Sequence, residues 1–150
     1  MKEADFVRML KKNLRGCFHR NHGGPYGTAG LPDLEGCYLS RAYLIEAKIG
    51  HLGRNDRVVL KNKLTETQKH WLREYYNNGA ISLLAVYLED AKKTIFFSWR
   101  EPWWLHVDSA LTEIDFLEPK FVTSKVWTRS DEYTVNLINA LSGGKDNDDR

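Results

Sequence analysis

Cysteine is nearly absent from this 150-residue chain: Cys17 and Cys37 are the only two. Two thiols cannot build a disulfide scaffold, and the composition is that of a protein kept in a reducing compartment. Four prolines and eleven glycines are ordinary usage, which excludes collagen-like and low-complexity chains. No run approaches eighteen uncharged apolar residues, so no transmembrane helix is expected. The opening Met1-Lys2-Glu3-Ala4-Asp5 leads into charged residues without an apolar h-region, so a secretory signal is not expected either. A cytoplasmic or nucleoid-associated protein, not a secreted one, is the expectation. What is present is 42% hydrophobic and 12% aromatic residues, enough to give a chain of this length one self-sufficient core. The expected organisation is a single domain over 1–142, followed by a disordered tail over 143–150.

The formal net charge is only +2, but it is unevenly spread. Residues 1–73 carry fourteen Lys/Arg against seven Asp/Glu, and residues 74–150 carry eight against thirteen. A basic half beside an acidic half is compatible with a polyanion partner, and equally with a dipolar surface that has none.

Periodicity orders the elements. Phe6, Val7, Leu10 and Leu14 form a helical stripe over 3–15, with Gly16 placed as a C-terminal cap. A loop rich in Gly, Asn, His and Pro fills 21–30. Strands are expected over Leu34–Leu39 and Ala42–Lys48, joined tightly at Ser40-Arg41. Residues 49–63, polar and basic, read as an exposed loop. Thr65-Glu66-Thr67-Gln68 is a capping box that starts a helix running to Asn77 and stopped by Gly79. The apolar run Ala80–Leu88 has the pattern of a strand buried on both faces, followed by a turn over 89–93 and a β-rich run over Thr94–Trp99. Strand-like fragments follow between 105 and 128, and Asp131–Leu141 has helical spacing with Ser130 as N-cap. The whole predicts a mixed α/β (α+β) domain around a central sheet.

Chemistry concentrates around the first two long strands. Glu46 and Lys48, two apart, share a strand face, while Tyr43, Ile45 and Ala47 share the other. A charged pair on one strand face, next to a second carboxylate, Asp33, across a short connection, is costly unless each charge has a partner. A hard divalent cation held by Asp33 and Glu46 would be one, with Lys48 free to orient a water or oppose charge building on a phosphate. A plain Glu46–Lys48 pair on a solvated sheet face is the alternative.

Taken together, Gly30-Leu31-Pro32-Asp33-Leu34, then Ile45-Glu46-Ala47-Lys48, then Leu64-Thr65-Glu66-Thr67-Gln68 resembles the PD-(D/E)XK nuclease superfamily. The pattern looks most like its VRR-NUC and phage-type branch, close to Holliday junction resolvase-like enzymes, and covers roughly residues 3–99. The resemblance implies a restriction-endonuclease-like core and magnesium-dependent hydrolysis of phosphodiester bonds, with manganese able to substitute. It implies Asp33 and Glu46 as metal-binding carboxylates, the Ala47 carbonyl as a backbone ligand and Lys48 as the catalytic lysine. Gln68 matches a glutamine near the active site in this branch, although the capping box explains it equally. Glu3 matches an acid that in several relatives reaches the metal, although first-turn acids are also favoured by the helix macrodipole.

The expected function is therefore a DNA endonuclease selective for branched or junction DNA. A non-catalytic nucleic-acid-binding module on the same fold is the alternative. A homodimer would suit two-fold junction cleavage. Arg54, Arg57, Lys61 and Lys63, with Lys69 and Arg73 nearby, are candidates for tracking the DNA backbone. Trp103-Trp104 reads either as a base-stacking wedge or as buried core. Cys17, His19, His22 and Cys37 have zinc-type donors at a spacing that fits no common finger. No Walker-type glycine loop is present, which argues against nucleotide hydrolysis.

Overall fold

A computed structural model describes residues 1–14, 17–19, 31–38, 40–97, 103–105, 107, 109–115 and 120–122. Helix α1 spans Glu3–Asn13 and buries Phe6, Leu10 and the following Leu14, the stripe expected from the sequence. Glu3 and Asp5 in its first turn, and Lys11 and Lys12 in its last, complement the helix dipole. It ends two residues before the expected 15 because Leu14 turns extended while its N–H still reaches the Leu10 carbonyl. The proposed cap, Gly16, lies outside the described residues, as do the loop 21–30, the helix over 131–141 and the tail.

Strand β1 (Cys17–His19) pairs antiparallel with β2 (Leu34–Tyr38), which pairs with β3 (Arg41–Leu52) through a hairpin that carries Ser40 at φ 64°. Strand β3 runs four residues past the expected end at Lys48, and the supposed loop over 49–63 is mostly sheet. Its second half is β4 (Arg57–Leu64), folded back on β3 with Gly50 opposite Leu60 and Leu52 opposite Val58. Asn55 and Asp56 make this reversal in the left-handed region, at φ 58° and 56°. These residue types tolerate that backbone because a short polar side chain can bond locally. Val58, Leu60 and Leu64 are buried on alternating positions, which overrides the basic composition of the segment.

The capping box at Thr65 is present in full. Helix α2 covers Glu66–Asn77, and Gly79 ends it at φ 97°. Strand β5 (Ile81–Leu88) then lies parallel to β3, with Tyr43 opposite Ile81 and Lys48 opposite Val86. Strand β6 (Lys93–Phe97) returns antiparallel to β5. After a 3-10 turn over Trp103–Leu105, β7 (Leu111–Asp115) joins β4, and β8 (Lys120–Val122) joins β6. The result is the expected mixed α/β architecture: among the described residues, one mixed sheet of eight strands in the order β1-β2-β3-β5-β6-β8, with β4 and β7 extending it beside the far end of β3.

Alternation on β3 splits the core in two. Tyr43, Ile45, Ala47 and Ile49 face Phe6, Leu10 and Leu14 of α1, together with Leu83, Ala85 and Phe96. Leu44, Leu84 and Val86 face the other way, with Leu72 of α2 and with Leu64, Trp104 and Ile114. Burial of each such large apolar side chain is worth about 1.5–3 kcal/mol, so both faces hold β3 firmly in register. No helix among the described residues is long and apolar enough to cross a membrane.

Candidate functional site

One edge of β3 is shared by two partners and leaves an interval between them. Strand β2 pairs with residues 41–45, and β4 resumes at Gly50. Glu46, Ala47, Lys48 and Ile49 lie in the interval, where that edge has no strand partner among the described residues. Leu34 is opposite Ile45, so continuing the register carries Asp33 to the level of Glu46. Asp33 uses that position: its Oδ2 accepts a hydrogen bond from the Ala47 N–H at 3.0 Å, closing a main-chain donor that the ladder leaves open.

Glu46 and Lys48 project on the face of β3 opposite α1, as their spacing requires, and they are not a solvated surface pair. They are 2% and 4% exposed, which removes that alternative. Lys48 Nζ lies 3.5 Å from Glu46 Oε1, whereas Glu46 Oε2 is buried with no hydrogen-bond partner among the described residues. A buried unpaired oxygen of this kind costs roughly 1–3 kcal/mol, so its persistence calls for an explanation. Glu3, from the first turn of α1, completes the group. One carboxylate oxygen each from Glu3, Asp33 and Glu46 lie within 4.8 Å of one another.

Electrostatics follow from this crowding. Burial pushes the Glu46 carboxyl well above its ordinary range; neighbouring Asp33 pushes it further, and the Lys48 ammonium opposes both. Burial also raises Asp33, with the Ala47 N–H pulling the other way and Glu3 adding repulsion. The ion pair with Lys48 therefore does not outweigh desolvation at Glu46, the usual balance for a charge taken out of water. Three carboxylates with oxygens this close together offer the donor type that hard divalent cations take.

Of the residues singled out in the sequence, Glu3, Asp33, Glu46 and Lys48 come together, with the Ala47 main chain between them. Gln68 performs the capping role: its Oε1 accepts from the Thr65 N–H at 3.0 Å and its N–H bonds Thr65 Oγ1 at 3.2 Å.

The basic cluster divides. Arg54, Lys61 and Lys63 are exposed on the β3–β4 hairpin, whereas Arg57 is tied to Glu113 of β7 at 3.3 Å. Lys69 and Arg73 do not form a free track. Lys69 is 1% exposed and donates to the carbonyls of Val107 and Ser109, and Arg73 Nη1 donates to the Leu105 carbonyl at 2.9 Å. Both pin the segment after the 3-10 turn onto α2, beside a cleft of roughly 540 Å³ that they line with Glu66, Thr67, His70 and Val107. Lys69 stands three residues before the buried Leu72, on the packed side of the helix, which is the signal that its charge needed an internal partner.

Trp104 is 1% exposed in the core on the α2 side, which excludes it as a base-stacking wedge. Of the zinc-type donors, Cys37 is exposed on β2, His22 lies outside the described residues, and Cys17 and His19 are described in backbone only. Asn62 was not singled out from the sequence, yet its Nδ2 donates to Glu3 Oε2 at 3.0 Å.

A scan against models of known protein families returned no match, and a search of curated proteins returned none either.

Proposed function

We propose that this protein is a magnesium-dependent endonuclease that hydrolyses phosphodiester bonds in DNA, on a restriction-endonuclease-like core. The single observation that carries the reading is Glu46: a carboxylate 2% exposed, one oxygen facing Lys48 and the other unpartnered, in a group with Asp33 and Glu3. Such an arrangement is expensive for a protein that only packs a sheet, because a buried like-charge pair must protonate or find a cation. A purely structural domain would fill the same interval on β3 with apolar side chains at no such cost.

In this reading Asp33, Glu46 and Glu3 hold the cation together with the Ala47 carbonyl. A magnesium ion there supplies Lewis-acid polarisation of a phosphoryl oxygen and makes a water more acidic. The protein's own groups do the remainder. Asp33 is kept in place by the Ala47 N–H, so the carboxylate is positioned before substrate arrives. Lys48 presents an ammonium on the same face as Glu46, where it can hold the attacking water or oppose the negative charge that grows on the phosphate. The exposed Arg54, Lys61 and Lys63 meet the DNA backbone, and their contribution weakens with salt.

A cleavage panel over duplex, flap, splayed and four-way DNA, with magnesium or with chelator, tests the proposal. Magnesium-dependent cutting, strongest on the branched substrates, is the expected outcome. Binding without cutting on every substrate would instead leave a nucleic-acid-binding module.

A further inference from the structure

Glu3 is the member of the acidic group that has the least reason to be there. Asp33 is held by a main-chain N–H and Glu46 by its strand, but Glu3 stands half-buried in the first turn of a helix. Joining two other carboxylates is electrostatically uphill, since Glu3 adds to the upward push on both. Asn62 opposes this. Its Nδ2 donates to Glu3 Oε2 at 3.0 Å, across fifty-nine residues of chain. The strand that carries it is irregular at this point: the β4–β7 register shifts between Val59 and Leu64. A break in register within an extended strand is the usual device for re-aiming a side chain beside a functional site.

From this geometry we infer that Asn62 is a positioning residue, which orients the Glu3 carboxylate so that its second oxygen is presented to the cation shared with Asp33 and Glu46. The inference rests on the metal reading above and adds a residue to it. A neutral amide suits the task, because it holds a carboxylate by a hydrogen bond while adding no positive charge to compete with the metal. Lys61 and Lys63 flank Asn62 and are exposed, so the strand that orients Glu3 also carries the cations proposed to meet DNA.

Calorimetric titration of Mn²⁺ into the full chain tests this, using the parent, Asn62→Ala, Glu3→Ala and the double variant, each with a urea midpoint measured in chelator. Asn62→Ala is expected to bind Mn²⁺ about tenfold more weakly, the low end for partners of metal ligands because the bond is exposed. Its urea midpoint stays at the parental value, and the same change on the Glu3→Ala background produces no additional loss. Parental Mn²⁺ affinity in Asn62→Ala, an equal drop with Glu3 absent, or a lowered urea midpoint would each overturn the inference while leaving the metal reading standing. A parent that takes up no Mn²⁺ would overturn both.

Discussion

Glu46→Gln probes the buried carboxylate without altering its shape. In the metal-free parent the folded-state pKa of Glu46 is raised by burial and by Asp33. The unfolded chain then ionises first as pH rises, so stability is greatest below the ordinary glutamate range and declines until pH passes the raised folded value. Each unit of that interval costs at most about 1.4 kcal/mol for one proton. For a chain of this size each kcal/mol lost corresponds to roughly 2–4 °C in Tm. Glutamine cannot ionise, so Glu46→Gln should lack this component and gain on the parent as pH rises above the ordinary glutamate range. Groups remote from the site titrate alike in both proteins, so the difference curve reports position 46 together with its coupling to Asp33. Calorimetric melts in chelator at half-unit pH steps give that curve. Parallel loss of stability in the two proteins would refute the reasoning, because it would mean that Glu46 ionises in the folded state as readily as in the unfolded one.

Lys48→Ala should bind DNA about as well as the parent while single-turnover cleavage falls by on the order of 10²–10³, since the ammonium acts on charge that develops only in the transition state. Charge reversal at Arg54, Lys61 and Lys63 together should weaken DNA binding and flatten the salt dependence by up to about three in log–log slope. Reversal at Arg57 should do less, because Glu113 already offsets that charge; fluorescence anisotropy over a salt series reads both. Gly50→Ala places a methyl 2.6 Å from the Val59 carbonyl oxygen and 3.0 Å from Val86 Cγ1. Backbone cannot yield there as a side-chain tip would, so about 1–3 kcal/mol should be lost in urea unfolding.

Local chemistry was legible in the sequence, and distant pairing was not. The capping box could be read from four residues because its partners are three apart, and each of its hydrogen bonds is present. The two-sided burial of β5 was legible in its unbroken apolar run. By contrast, the β3–β4 hairpin was hidden by composition. Lysines, arginines and glycines suggested a loop, while Val58, Leu60 and Leu64 supplied a period of two that only a partner strand makes meaningful. At the site, the spacing of Glu46 and Lys48 fixed their common face, but their burial at 2% and 4% exposure is set by tertiary packing. Proximity of Glu3, and with it the role of Asn62, is set by the meeting of a helix start with a strand fifty-nine residues away, a relation no local pattern encodes. The anchoring of Lys69 on main-chain carbonyls of residues 107 and 109 is of the same kind.

The measurement that bears most directly on the central claim is a calorimetric titration of Mg²⁺ into the parent and into Asp33→Asn at neutral pH. Loss of one of three carboxylates that converge within 4.8 Å should weaken the site severely or abolish it, while the main-chain N–H of Ala47 keeps an oxygen acceptor in place and the fold intact. The account predicts saturable Mg²⁺ binding by the parent and little or no binding by Asp33→Asn. Undiminished affinity in Asp33→Asn, or a parent that binds no Mg²⁺, would contradict it.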